Sequence, residues 1–136
     1  MIRHIVIAVG LAAALASPGS SQQHRQRQTD QDRLDKALAG LVPGKPVHCL
    51  SHYQATETRT FDNTILYVQG RTKLWRNDPS GGCQGLKNDD ILVTRSSSGQ
   101  YCRGDIVETR ARTGGFTTGV CSLGEFVPYT KPGARR

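Results

Sequence analysis

The sequence lacks a hydrophobic segment long enough to cross a membrane. Its most apolar stretch, residues 5–16, has twelve residues, whereas a transmembrane helix needs about 20 to cover a hydrocarbon layer of about 30 Å. The sequence also lacks the G-x-S-x-G, H-E-x-x-H and G-x-G-x-x-G motifs and the Walker phosphate loop. We therefore predict no transmembrane span, no catalytic residue and no cofactor.

Aromatic residues are scarce, at 6% of the 136 residues, while hydrophobic residues make up 36%. This amount of apolar material suffices for one modest core and excludes a large multidomain enzyme. Neither the disordered nor the fibrous composition class describes the bulk of the chain. The composition therefore predicts one small folded domain.

The N-terminus has the three parts of a secretory signal peptide. Arg3 precedes the apolar stretch, Ala14-Leu15-Ala16 supplies the small-x-small cleavage pattern, and Pro18 follows it. We predict a signal peptide over residues 1–16, and no Cys follows the cleavage site as it would in a lipoprotein. The predicted location is periplasmic or secreted.

The four cysteines contain no C-x-x-C pair, which excludes thioredoxin-type, zinc-ribbon and c-type haem patterns. In an oxidising compartment they are expected to form two disulfides. The residues are Cys49, Cys83, Cys102 and Cys121. Three pairings are possible, and we favour Cys49–Cys83 with Cys102–Cys121, because the last two lie in segments predicted to be neighbouring strands.

Residues 17–29 are polar and basic, so we predict a disordered linker there. A short helix is expected to begin at Thr29 as N-cap, with apolar positions at helical spacing at Leu34, Leu38 and Leu41. It should end at Gly40 and Pro43. The disulfide-stabilised domain is expected over residues 30–128, and a basic tail over residues 129–136.

From residue 47 onward the apolar residues alternate with period two between turn segments rich in Gly, Asn and Asp. The predicted strands are 47–53, 57–61, 64–69, 72–76, 91–95, 100–103, 105–110 and 116–127, the last with a break near residues 123–124. This spacing predicts a mainly β fold, a small antiparallel barrel or sandwich with one short N-terminal helix.

The hairpin around Gly70 has apolar residues on both faces. If Gly70 and Arg71 form a two-residue turn, Leu66 lies opposite Trp75 and Tyr67 opposite Leu74. Such a hairpin needs cover on both sides, and the leucine face of the helix is available for one of them.

Three pieces around the cysteines resemble a family of small exported proteobacterial proteins of unknown function. They are Gly-Gly-Cys-Gln-Gly-Leu at 81–86, Tyr-Cys-Arg-Gly-Asp at 101–105 and Cys-Ser-Leu-Gly-Glu-Phe-Val-Pro at 121–128. With Cys49 they cover roughly residues 48–128. The resemblance implies export and disulfide use, and it implies no activity.

Two of these pieces carry charged residues that are candidates for binding. Pairing about Thr113 and Gly114 would bring Arg103, Asp105 and Glu125 together as an ion-paired cluster. It is either a partly buried salt bridge that sets the strand register or a ligand-binding acid pair. Arg103-Gly104-Asp105 also spells an adhesion tripeptide, but three residues recur by chance.

His48 and His52 are the other candidate binding residues. Alternation would place them on one face of a strand with Leu50 between them, but a convincing third ligand is missing, so we predict no metal site. One of them could act as general acid or base with a carboxylate, which makes a small basic hydrolase the first alternative. The candidate acids are Glu57, Glu108 and Glu125.

Lys and Arg number 18 against 11 Asp and Glu, so loss of Arg3 leaves 17 basic residues and a net charge of +6. Such a surface attracts anions without sequence preference. The aromatic residues do not interleave with basic ones, so nucleic acid is not the expected partner. We predict a binding or envelope-associated structural module, with an anionic envelope component or a periplasmic protein as partner. A second alternative is a periplasmic inhibitor of a wall-degrading enzyme.

Overall fold

The computed structural model describes residues 19–133. One α-helix, α1 (Gly19–Leu38), precedes eleven strands. The strands are β1 (Val42–Pro43), β2 (Cys49–Ser51), β3 (Glu57–Phe61), β4 (Thr64–Gln69), β5 (Lys73–Asn77), β6 (Ser80–Gly82), β7 (Ile91–Arg95), β8 (Gln100–Cys102), β9 (Ile106–Arg110), β10 (Thr117–Ser122) and β11 (Phe126–Thr130). Short 3₁₀ helices span His52–Gln54 and Gln84–Asn88.

The strands form three antiparallel sheets. A five-stranded sheet has the order β1-β11-β5-β4-β3, a four-stranded sheet the order β6-β10-β9-β7, and β2 pairs with β8. None of the sheets closes on itself, so the fold is a small sandwich rather than a barrel. The predicted mainly β architecture is confirmed.

The main core lies between the two larger sheets. Ile65, Tyr67 and Trp75 from the five-stranded sheet share a buried cluster with Val107 and Cys121 from the four-stranded sheet. The cluster is completed by Leu50, Cys83, Leu86, Leu123 and Phe126. Burial of this apolar surface is the main force that holds the two sheets together.

The helix covers the other face of the five-stranded sheet. Leu34 is buried with Leu66, Val68 and Leu74, while Leu38 packs against the same cluster. The prediction that the leucine face covers one side of the hairpin is confirmed. Strand β4 is therefore buried on both faces, which explains its nearly continuous apolar sequence.

The helix begins at Gly19, well before the predicted N-cap at Thr29. The predicted disordered linker is therefore wrong over residues 19–29, whereas residues 1–18, with the predicted signal peptide, lie outside the described part. Residues 19–28 contain neither Pro nor a β-branched residue and are rich in Gln and Arg, which have good helix propensity. Thr29 lies inside the helix, and its hydroxyl donates to the carbonyl of Arg25 at 2.9 Å.

The C-terminal boundary of the domain also differs from the prediction. Strand β11 continues through Thr130, so Tyr129 and Thr130 belong to the sheet and not to the predicted tail. They pair with β5 on one side and with β1 on the other. Pro128 lies within β11 opposite Trp75 of β5, so this proline does not end the strand.

The β4–β5 hairpin has a register one residue away from the predicted one. Tyr67 lies opposite Trp75 and Val68 opposite Leu74, because Thr72 joins Gly70 and Arg71 in the turn. A slip of one residue exchanges the two faces of a strand. In the observed register Tyr67 and Trp75 both enter the main core, whereas Val68 and Leu74 face the helix.

The hydroxyl of Tyr67 is buried without a hydrogen-bond partner among residues 19–133, and burial raises the pKa of this phenol. We expect Tyr67→Phe to leave the free energy of unfolding unchanged or to raise it by up to about 1 kcal/mol, because the substitution removes a desolvated, unbonded group. Urea unfolding measures this difference.

Trp75→Phe is the matched control for that measurement. The Trp75 indole donates to Gln69 Oε1 at 2.9 Å, so its replacement removes both volume and a hydrogen bond and should destabilise the domain. A loss of more than about 1 kcal/mol in Tyr67→Phe would contradict the assignment of an unbonded hydroxyl.

Candidate functional site

Two disulfides join the four cysteines, as predicted, but the favoured pairing is wrong. The bridges are Cys49–Cys102 and Cys83–Cys121. Cys102 and Cys121 do lie on strands, but β8 pairs with β2 while β10 belongs to the four-stranded sheet. Cys49 is therefore directly opposite Cys102, with their Cα atoms 4.0 Å apart.

The three sequence pieces around Cys83, Cys102 and Cys121 meet at one end of the sandwich. The first enters β6, which pairs with β10 at the start of the third piece. The second forms the β8–β9 turn, where the Gly104 amide donates to the Leu123 carbonyl at 2.8 Å. The Arg103 amide donates to the His48 carbonyl at 2.7 Å. Residues far apart in the sequence are thus held together by backbone bonds and two disulfides.

An open cleft of about 490 Å³ lies at this end, which we call the end cleft. The polar residues in its lining are Asp78, Ser80, Arg103, Ser122 and Glu125. The end cleft therefore presents two carboxylates, one guanidinium group and two hydroxyl groups to solvent.

Glu125 is the centre of the charged group in the end cleft. Its Oε1 atom lies 3.3 Å from Arg103 Nη1 and 3.6 Å from His48 Nδ1. The exposed fractions of the side chains are 40% for Glu125, 59% for Arg103 and 74% for His48. Exposed ion pairs of this kind stabilise a fold by only about 0–1 kcal/mol. These groups remain accessible to a ligand and are not a buried structural salt bridge.

Asp105 does not join the ion pair between Arg103 and Glu125, so the predicted three-residue cluster is wrong for this residue. Its Oδ2 atom accepts a hydrogen bond from the Cys102 amide at 2.8 Å. That bond stabilises the β8–β9 turn, in which Gly104 has a φ of +93° that favours glycine. Both charged side chains of the Arg103-Gly104-Asp105 tripeptide therefore have partners within the chain.

The two histidines do not share a strand face, contrary to the prediction. Strand β2 ends at Ser51, and His52 begins a 3₁₀ helix in which the Ser51 amide donates to Gln54 Oε1 at 3.2 Å. The His52 ring packs on Tyr101 with centroids 4.1 Å apart. His48 is the histidine that reaches Glu125. Within residues 19–133, no three His, Cys, Asp or Glu side chains are grouped so as to hold a metal ion.

Asn77 is the structural residue of the site that the sequence reasoning missed. It is fully buried, and its amide nitrogen donates to the carbonyls of Gly124 at 2.9 Å and Glu125 at 3.3 Å. Its Oδ1 atom accepts from the Gly124 amide at 3.0 Å. A Cβ atom at Gly124 would lie 2.5 Å from the Asp78 carbonyl oxygen, so the corner tolerates only glycine. These contacts fix the backbone that carries Glu125. The available signal was a polar residue at the end of an apolar strand.

The basic excess of the chain is not concentrated in the end cleft. Seven arginines of the described residues have a carboxylate partner within the chain: Arg33, Arg59, Arg76, Arg95, Arg103, Arg110 and Arg112. The excess therefore rests mainly on lysines and on arginines near the chain ends. Both carboxylates of the cleft lining have an arginine partner, Asp78 with Arg76 and Glu125 with Arg103.

Residues 19–133 contain no helix that is long and apolar enough to cross a membrane. The end cleft is the candidate site because Arg103, Glu125 and His48, three of the predicted binding residues, meet there. Comparison with known proteins does not assign it a role: no family model, no curated protein and no solved structure matches this chain.

Proposed function

We propose that the protein is an exported binding module that recognises another exported protein through the end cleft. The observation that carries this proposal is the position of Glu125, Arg103 and His48, which are exposed to solvent on a corner fixed by two disulfides and by Asn77. Accessible polar groups on loops held by a rigid scaffold are typical of binding sites.

The charges of the end cleft favour a protein over an anionic polymer as the partner. Both carboxylates of the cleft lining are paired, Asp78 with Arg76 at 2.9 Å and Glu125 with Arg103 at 3.3 Å, so the lining offers no uncompensated arginine to hold a phosphate or polyuronate chain. A surface with both signs of charge is matched by a partner surface that also carries both signs. An anionic envelope component is therefore the weaker of the two partner classes that the composition suggests.

Export is supported by the two disulfides, which form and persist in oxidising compartments. It is also supported by the predicted signal peptide at residues 1–16 and by the family resemblance around the cysteines.

One contact favours a small basic hydrolase as a second candidate. His48 Nδ1 lies 3.6 Å from Glu125 Oε1, longer than a hydrogen bond but near the arrangement in which a carboxylate orients a catalytic imidazole. Against it, the His48 side chain is 74% exposed, and a general base works best where water is excluded. The inhibitor alternative is a special case of the binding module, in which the partner is a wall-degrading enzyme.

The binding proposal is tested by recovering partners of the tagged, secreted protein from an extracytoplasmic extract at about 50 mM and about 300 mM salt. The site variant carries Arg103→Ala and Glu125→Ala. The matched control carries Arg59→Ala and Glu57→Ala, which remove another exposed ion pair, on β3. We expect one defined protein to remain bound at the higher salt, to be lost at least about tenfold in the site variant, and to be retained by the control.

Equal binding by the site variant and the control, or complete release at the higher salt, would contradict the proposal and leave only nonspecific attraction of anions. Cleavage of nucleic acid by the purified protein, abolished by His48→Gln, would replace it with the hydrolase. If the bound protein is a wall-degrading enzyme whose activity falls with one equivalent of the module, the binding module is an inhibitor.

A further inference from the structure

We propose that the protein forms a two-fold symmetric dimer in which strand β7 pairs antiparallel with β7 of a second copy. The two four-stranded sheets would then join into one continuous sheet of eight strands. This inference goes beyond the proposed function, because it concerns a different surface of the molecule.

Strand β7 is an open edge of the four-stranded sheet. It pairs with β9 on one side, and no other strand of residues 19–133 lies along its other side. Its five residues, Ile-Leu-Val-Thr-Arg, favour strand structure and include neither Pro nor Gly. Its pairing with β9 runs without a bulge. Apart from Arg95 at its end, it therefore lacks the features that usually prevent pairing at an edge.

The other edge strands of the two larger sheets are short or, in the case of β3, carry exposed charged residues at Glu57 and Arg59. Strand β6 has three residues, two of them glycine, and β1 has two residues, one of them Pro43. Strand β3 is as long as β7, but its Thr60 hydroxyl donates to Asp89 Oδ1 at 3.3 Å beside the 3₁₀ helix Gln84–Asn88. On the helix side of β3, the Arg33 guanidinium lies 5.6 Å from the Phe61 ring centre.

The sequence of β7 is complementary to itself in an antiparallel pair. With the two-fold axis at Val93, that residue faces its own copy, Leu92 faces Thr94, and Ile91 faces Arg95. No like charges are opposed, and β-branched or aliphatic residues meet across the axis. The charge of Arg95 is already compensated, because its guanidinium lies 3.1 Å from Glu108 Oε1.

The exposed surface next to β7 also favours a second copy as the occupant. Ile91 is about half-exposed on the outer face of the sheet, where alternation places Val93 and Arg95 as well. In the proposed register the two Val93 side chains cover each other, and the half-exposed Ile91 lies opposite Arg95 of the second copy. An isologous contact of this type closes with two copies and does not propagate into a fibre.

The test is the molar mass of the secreted, oxidised protein, measured by sedimentation equilibrium up to about 100 µM, well above a micromolar Kd. We expect a dimer for the wild type and a Kd at least about tenfold higher for Val93→Lys, because two lysines then face each other across the axis. Val120→Lys is the matched control, since it adds the same charge to the same outer face but on β10, away from the edge. It should remain dimeric.

A mixture of Val93→Lys and Val93→Glu chains should recover the dimer as a heterodimer, which occurs only if position 93 faces itself. Circular dichroism confirms that each variant is folded. A monomeric wild type at about 100 µM, an undiminished dimer in Val93→Lys, or dissociation by Val120→Lys would each overturn the proposal. If the protein is monomeric and binds an extended peptide along β7, the partner of this edge is a peptide and not a second copy.

Discussion

Removal of the Cys83–Cys121 disulfide by substitution of both residues with Ala should lower the free energy of unfolding by about 4 kcal/mol. The bridge joins residues separated by 38 positions, and the loss of its restriction on the unfolded chain predicts a cost of this size. Both sulfurs are buried in the main core, so the substitution also removes packing. A domain of this size has a total stability of only about 5–15 kcal/mol.

Urea unfolding of the oxidised wild type and of both double variants measures this effect. Cys49→Ala/Cys102→Ala is the companion variant, with a separation of 53 positions and a similar expected cost of about 4 kcal/mol. Thiol labelling of folded Cys49→Ala/Cys102→Ala should modify no cysteine, because Cys83 and Cys121 stay bonded to each other. Labelling of both would mean that the bridges connect different residues, and a cost below about 1 kcal/mol would contradict their role in stability.

Asn77→Ala should lower the free energy of unfolding by about 2–4 kcal/mol and weaken partner binding at the end cleft. The substitution leaves the partly buried Gly124 amide and two carbonyls without their side-chain partner, and each unsatisfied buried group costs about 1–3 kcal/mol. Because these bonds hold the backbone of Glu125, the corner should loosen even in molecules that remain folded.

Asn88→Ala is the control, since Asn88 is exposed and its loss should change stability by less than about 0.5 kcal/mol. Asn77→Asp adds a test by pH. Its carboxylate would face two carbonyl oxygens, which raises its pKa, so the variant should be less stable at pH of about 7 and recover as the carboxyl gains a proton toward about pH 4. If Asn77→Ala matches Asn88→Ala in stability, the buried bonds do not hold the corner.

The local parts of this fold were predictable from local patterns. Strands β3, β4 and β7 have the predicted bounds, because each is an uninterrupted run of strand-forming residues between turn residues. The leucine face of the helix was predicted from its spacing and packs as expected. The start of the helix was not predicted. Its polar first half has no apolar residues to bury and was therefore interpreted as disordered, although its Gln and Arg residues favour a helix.

The candidate site was predicted in part. Arg103 and Glu125 form the expected ion pair, since their segments meet across antiparallel strands. Asp105 was assigned to the same cluster, but a nearby backbone amide competes for its carboxylate. His48 was paired with several possible acids because no sequence rule selects among carboxylates that are far away in the chain.

By itself, the sequence determined that this is a small, mainly β domain with two disulfides and one helix that contributes a leucine face, since composition, cysteine count and periodicity act locally. Only the tertiary structure decided which cysteines pair, which face of the β4–β5 hairpin enters the main core, and that Asn77 holds the corner at Glu125. These outcomes depend on which distant strands share a sheet, and a shift of one residue at a turn is enough to change them.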